Sequence, residues 1–182
     1  MIIGLSGYAQ SGKDTVASIL VSEYGFTRVA FADKIRELLY AMNPNFRDTL
    51  LQQAVDSHGW DEVKKDQSVR RMMQNLGVGA RNLFGENFWV AEAVKGLDWK
   101  ANYVFTDVRF TNEANLLKQW TDVGTQIWRV KRPGVEAINS HISEHDLDDY
   151  KVDQILHNGG TIEELELLVR QRMDALLANK TD

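Results

Sequence analysis

Gly7, Gly12 and Lys13 stand in a Gly-x4-Gly-Lys string whose residue types suit the binding of phosphate. Two glycines let the backbone turn tightly and aim successive N–H groups at one point. The lysine adds a mobile cation for β- and γ-phosphates. An apolar strand, Ile2 to Ser6, leads into the string, and a helical pattern leaves it from about Gly12. The positive end of that helix also favours anions. Strand, glycine loop and helix in this order are the layout of a P-loop, and they imply a nucleoside polyphosphate. The residues assigned to it are Gly7, Gln10, Ser11, Gly12, Lys13, Asp14 and Thr15.

One position departs from the usual pattern. The residue after the lysine is commonly Ser or Thr, whose hydroxyl binds Mg²⁺; here it is Asp14. One helical step is about 100°, so Thr15 cannot take the vacated place and is read as a donor to the α-phosphate. Asp14 could hold the metal directly or through water, since Mg²⁺ prefers oxygen ligands. It could equally be an acidic residue stabilising a helix's first turn.

Three further groups could do chemistry. Thr106-Asp107-Val108-Arg109 ends an apolar segment as a Walker-B strand does: Asp107 could hold Mg²⁺ through water or position the nucleophile, and Arg109 could neutralise a transferred phosphoryl group. A buried Asp–Arg pair serving structure alone is the other reading. Asp33, Lys34 and Arg36 follow Phe31; Asp33 could cap a helix, or orient an acceptor whose phosphate Lys34 or Arg36 holds. Arg70, Arg71 and Gln74 lie on the polar side of a helix, Arg70 and Gln74 four apart. A guanidinium fork suits a monophosphate, while a solvated charged face is the commoner fate of such a pair. Trp89, with Phe88 and Phe84, could stack on a nucleobase or pack in a core. His141 and His145 are four apart but have no third partner at metal-ligand spacing, so zinc is not expected.

These groups need a scaffold. The 182 residues suit one domain spanning 1–182. Hydrophobic residues make up 43% and charged residues 26%, as in globular proteins. There is no cysteine, hence no disulfide and no thiolate metal site. The start resembles no signal peptide, and no apolar stretch reaches membrane-spanning length. A cytoplasmic protein working away from membranes is expected. The net charge of −5 argues against a nucleic-acid partner. It leaves room for a local positive pocket drawn from Arg36, Arg70, Arg71, Arg109, Arg129, Lys131 and Arg132.

Apolar, β-rich segments predict strands at Ile2–Ser6, Tyr103–Thr106, Gln126–Val130 and Val152–Leu156, and Phe26–Phe31 alternates like another. Helices are expected from about Gly12 to Tyr24, Asp33 to Ala41, in part of 45–66, from 67 to a stop at Gly77, and from about Asn87 to Leu97. Others follow at Asn112–Val123, stopped by Gly124, and from Thr161, where a capping box opens a helix to about Ala178. The sum is an α/β fold: a doubly wound, mostly parallel sheet of about five strands, with ligands beyond the strands' carboxyl ends.

Taken together, the chain resembles the bacteriophage deoxynucleoside monophosphate kinases over nearly its whole length. The marks are Gly12-Lys13-Asp14-Thr15, Phe31-Ala32-Asp33, Ser68 through Gly77, Phe88-Trp89-Val90, Thr106 through Phe110, Arg132-Pro133-Gly134, Asn139 through Glu144, and Asn158 through Leu165. The resemblance implies a P-loop nucleotide kinase with ATP and Mg²⁺ as cofactors. A deoxynucleoside monophosphate would bind under a helical insertion at 45–100, by way of Asp33, Lys34, Arg36, Arg70, Arg71, Gln74 and Trp89. Lys13, Asp107 and Arg109 would be catalytic, and Asp14 and Asp107 would serve the metal. Arg132 and the loop 132–149 would lie near adenine or close over the phosphates, with Glu144 in that loop. Association into a homodimer is left open. The rival acceptors are dephospho-coenzyme A and phosphomevalonate, whose kinases have similar small folds. A GTPase-like switch is set aside: no Asn-Lys-x-Asp base-reading loop is expected, and Asp56-x-x-Gly59 follows no convincing strand.

Overall fold

The computed structural model describes residues 1–119, 124–138 and 140–178. The elements run β1 (Ile2–Ser6), α1 (Lys13–Tyr24), β2 (Thr27–Val29), α2 (Phe31–Met42), β3 (Asn45–Phe46), β4 (Thr49–Leu50), α3 (Leu51–His58) and α4 (Trp60–Val63). They continue with α5 (Gln67–Phe84), α6 (Phe88–Val94), β5 (Tyr103–Phe105), α7 (Thr111–Gln119), β6 (Thr125–Lys131), α8 (Ile142–His145), β7 (Gln154–His157) and α9 (Ile162–Ala178). The chain forms two compact units. One joins Met1–Val29 to the chain from Leu97 onward, and the other is Ala30–Gly96.

The first unit is built on a five-stranded sheet in the order β2-β5-β1-β6-β7, with every pairing parallel. The central strand β1 is buried along its length, so it reads as an unbroken apolar run rather than an alternation. Its register, Ile3 beside Val104 and Leu5 beside Trp128, brings these four side chains to one face. There Val16, Ile19 and Leu20 of α1 and Leu165, Val169 and Met173 of α9 cover them. On the opposite face Leu117 of α7 closes over Gly4 and Ile127. Helices on both faces make this the doubly wound sheet expected from the alternation. At the head of α9 the capping box is formed: Thr161 N–H donates to Glu164 Oε2 at 2.8 Å, and Glu164 N–H donates to Thr161 Oγ1 at 3.3 Å.

The second unit is mainly helical, around Leu39, Phe46, Leu51, Ala54, Val63 and Val69. It begins at Ala30, ahead of the boundary at 45 expected for a helical insertion. The stretch 45–66 is helical in part, as expected: α3 and α4 lie in it, behind a short antiparallel hairpin, β3–β4, at 45–50. Two local expectations are corrected here. Phe31 opens α2 instead of closing a strand. Gly77 does not stop its helix, because α5 runs on to Phe84. A Cβ on Gly77 would meet Ile35 Cδ1 at 3.2 Å, so the missing side chain accommodates α2. In the first unit, α8 was not foreseen, and the expected helical residues 120–123 lie outside the described residues.

Candidate functional site

In the first unit the chain leaves β1 and turns back on itself through three residues with positive φ: Gly7 (131°), Gln10 (65°) and Gly12 (107°). Neither glycine could carry a side chain. A Cβ on Gly7 would lie 2.4 Å from the Val130 carbonyl oxygen, and one on Gly12 would lie 2.5 Å from Asn158 Nδ2. Lys13, the first residue of α1, folds over this loop and donates to the carbonyls of Gly7 (2.7 Å) and Tyr8 (2.8 Å). Burial pushes its ammonium down to about 8, and the neighbouring Arg109 guanidinium adds to the fall. The carboxylates of Asp14, Glu144 and Asp107 oppose it. Five residues named from sequence or resemblance therefore share one electrostatic neighbourhood. Asp14 is exposed, and Thr15 and Asp107 are half-buried.

Arg109 lies just past β5, where α7 begins. The backbone N–H groups of Arg109 and Phe110 both donate to the buried carboxylate of Glu113 (2.8 and 3.0 Å), which caps α7 and fixes this turn. The Arg109 guanidinium is paired with Glu144. The segment around α8 is fastened at several other points. Asp146 accepts from Thr111 N–H at 2.6 Å, Asp148 accepts from the Tyr8 hydroxyl at 3.0 Å, and Arg129 donates to the carbonyls of Leu147, Asp148 and Tyr150. Arg129 is thereby committed to loop carbonyls. Between the glycine loop and this segment lies a cavity of about 380 Å³, bordered by Gly7, Ser11, Arg109, Arg132, Val135 and Glu144, among others. Arg132 is exposed and pairs with no carboxylate among the described residues. Ser11 is 1% exposed and its hydroxyl has no protein partner. An unpaired buried hydroxyl is costly. A ligand oxygen beside the loop would relieve that cost.

The second unit holds the other predicted residues. Asp33 and Arg36 pair at 2.9 Å on α2, and Lys34 pairs with Glu37 at 2.7 Å. Asp33, Arg36, Glu37, Tyr40 and Trp60 line a cavity of about 430 Å³. Arg36 Nε is buried without a partner. On α5, Arg70 Nε donates to the Lys64 carbonyl at 3.0 Å, Arg71 is exposed and Gln74 is half-buried. Trp89 is only 4% exposed, and its indole N–H donates to the Gly77 carbonyl at 2.9 Å. The aromatic wall read from sequence is thus largely core. Phe88 meets Trp89 edge to face at 4.9 Å, and Phe84 is the exposed member.

The family model described as deoxynucleotide monophosphate kinase matches residues 51–169. The chain belongs to the deoxynucleotide monophosphate kinase family. A protein of Acanthamoeba polyphaga mimivirus, provisionally given that name, is 30% identical over 90% of this chain and 91% of its own length. The deoxynucleotide monophosphate kinase of Enterobacteria phage T4 is 25% identical over 96% of this chain and 99% of its own. Among solved structures, shikimate kinase from Aquifex aeolicus is 14% identical, with a TM-score of 0.49 over 100% of this chain and 99% of that one. Membership makes the chain a kinase built on a nucleotide-binding P-loop. Among the described residues no helix is long and apolar enough to cross a membrane. One expectation is corrected by the sequence itself: an Asn-Lys-x-Asp string does occur, as Asn179-Lys180-Thr181-Asp182, and it lies outside the described residues.

Sequence reasoning missed Tyr40, Trp60 and Asn158. Trp60 lies in the polar stretch 45–66, where no periodicity marks it. Asn158 was visible only as the first letter of a family string.

Proposed function

We propose that this family member transfers the γ-phosphoryl group of ATP to a deoxynucleoside 5′-monophosphate, giving ADP and a deoxynucleoside diphosphate. The observation that carries the reading is the loop from Gly7 to Lys13, with its three positive-φ residues and an ammonium held over its own carbonyls. Such a loop suits a polyphosphate tail. Lys13 would take the β- and γ-phosphates, and Arg109 would offset charge on the phosphoryl group in flight. Arg132, at the rim of the same cavity, would serve the nucleotide's outer part. Asp14 and Asp107 are both carboxylates and suit Mg²⁺, which binds proteins through one or two carboxylates and otherwise keeps waters and phosphate oxygens. When bound, the ion would neutralise phosphate charge.

The acceptor belongs to the second unit in this reading. Arg70 and Arg71 would hold its phosphate, assisted by Lys34 and Arg36, with Asp33 and Gln74 on sugar or base. The acceptor's phosphate is already ionised, so no strong general base is needed; positioning and charge neutralisation suffice. A coupled assay of ADP release tests the reading, run with each deoxynucleoside monophosphate and with dephospho-coenzyme A and phosphomevalonate as control acceptors. ADP release that depends on at least one deoxynucleoside monophosphate is expected. Release indifferent to all of them, or driven by a control acceptor, overturns it.

A further inference from the structure

Asn158 stands at the end of β7, where three pieces of the first unit converge. It is 7% exposed. Its backbone N–H donates to the Lys131 carbonyl at 2.7 Å, immediately before Arg132. Its side-chain Nδ2 reaches back across the sequence and donates to the Ser11 carbonyl at 2.9 Å. The same nitrogen lies so close to Gly12 that a Cβ there would approach it to 2.5 Å. The following turn packs beside the residue after Arg132: a Cβ on Gly159 would meet Pro133 Cγ at 3.5 Å.

The peptide that Asn158 grips joins Ser11 to Gly12. In a trans peptide the C=O and the next N–H point in opposite directions. Holding the Ser11 oxygen on Asn158 therefore turns the Gly12 N–H away from Asn158. Gly12 sits at φ 107°, a conformation with no intrinsic preference for one peptide orientation over its flipped alternative. A buried amide donor removes that freedom. We propose that Asn158 is a positioning residue for the nucleotide: its side-chain amide fixes the Ser11–Gly12 peptide so that the Gly12 N–H is presented to the polyphosphate. Through its own backbone it ties this peptide to the strand end that carries Arg132.

The inference rests on the proposed function only so far as the loop from Gly7 to Lys13 holds ATP; it does not depend on the acceptor. The test uses the full chain with Asn158→Asp, Asn158→Ala and Asn158→Ser. Asp keeps the size but replaces the donor with a negative charge beside the Ser11 carbonyl, Ala removes both, and Ser restores a short donor. Binding of a non-transferable ATP analogue is measured by calorimetry, KM and kcat by coupled assay, and amide exchange over residues 11–13 by mass spectrometry. Loss of one such hydrogen bond corresponds to roughly a tenfold weaker analogue in Asn158→Asp and Asn158→Ala. The acceptor KM should stay within about twofold, exchange over 11–13 should quicken, and Asn158→Ser should recover part of the loss. A lowered Tm with analogue affinity and local exchange unchanged overturns the proposal. Should Asn158→Asp fail to fold, the Ala and Ser pair decides on the same readouts. Should no deoxynucleoside monophosphate be phosphorylated, the analogue binding still decides, because it involves no acceptor.

Discussion

The guanidinium of Arg109 is paired with the carboxylate of Glu144, a residue 35 positions later in the chain. Glu144 is 7% exposed as a side chain and Arg109 40%, so the pair is wet on the arginine side. Its contribution is accordingly on the modest scale of an exposed pair, about 1 kcal/mol. Glu144→Gln should lower Tm by about 2–4 °C and quicken amide exchange in residues 140–150. Arg109→Ala breaks the same pair and should lower Tm as well, but it should also act on the chemistry, lowering kcat by on the order of a hundredfold or more. Equal effects of the two changes on kcat would remove Arg109 from the catalytic role.

Lys13 sets a pH dependence whose sign follows from its burial. Its ammonium falls from 10.5 to about 8 in the fold. Between those values the unfolded chain keeps the proton that the folded chain has released, so Lys13 taken alone makes the protein more stable as pH rises through that window. If Lys13 serves ATP in its charged form, as proposed, ATP affinity should fall above about pH 8 and binding should take up a proton there. Calorimetry in buffers of different ionisation enthalpy reads that uptake directly. Lys13→Met should leave Tm equal or higher and abolish detectable ATP binding.

Gly7 tolerates no side chain. Gly7→Ala forces a Cβ to within 2.4 Å of a backbone oxygen at φ 131°. A cost of about 1–3 kcal/mol from the backbone conformation alone is expected, together with a loss of ATP binding. Thermal unfolding with and without ATP checks both: the variant should melt lower and gain nothing from the nucleotide.

Trp89 is a test of core against surface. Trp89→Phe keeps an aromatic ring but gives up part of the indole's buried volume along with the N–H that serves the Gly77 carbonyl. Stability should fall by about 1–2 kcal/mol, and the acceptor KM should move less than about threefold. A large rise in the acceptor KM at unchanged Tm would return Trp89 to the binding surface.

Arg71 is exposed and pairs with no carboxylate among the described residues. Arg71→Ala should therefore change stability by no more than about 0.5 kcal/mol. If it holds the acceptor phosphate, the acceptor KM should rise roughly tenfold or more, with the ATP KM unchanged. An unaltered acceptor KM in both Arg71→Ala and Arg70→Ala would refute the assignment.

What was legible in the sequence was local. Gly7, Gly12 and Lys13 announce their turn because the backbone conformation of that loop demands those residue types. The Thr161–Glu164 box announces a helix end for the same reason: its partner groups lie within a few residues. What was missed is settled by neighbours far along the chain. Gly77 looks like a stop, yet it is a gap left for Ile35. The β3–β4 hairpin turns at Arg47, which takes φ 53° although arginine gives no turn signal. The importance of Asn158 depends on Ser11, 147 residues away. No periodicity could have paired them.

The two carbonyls beneath the Lys13 ammonium bear on how turnover ends. They hold the cation in the ligand-free chain, over the loop whose phosphates it would serve. If the site binds ATP as proposed, departure of the nucleotide would return the charge to these oxygens. On the proposed reading, one short loop would thus serve the lysine in both states, through its carbonyls when empty and through its amides when filled.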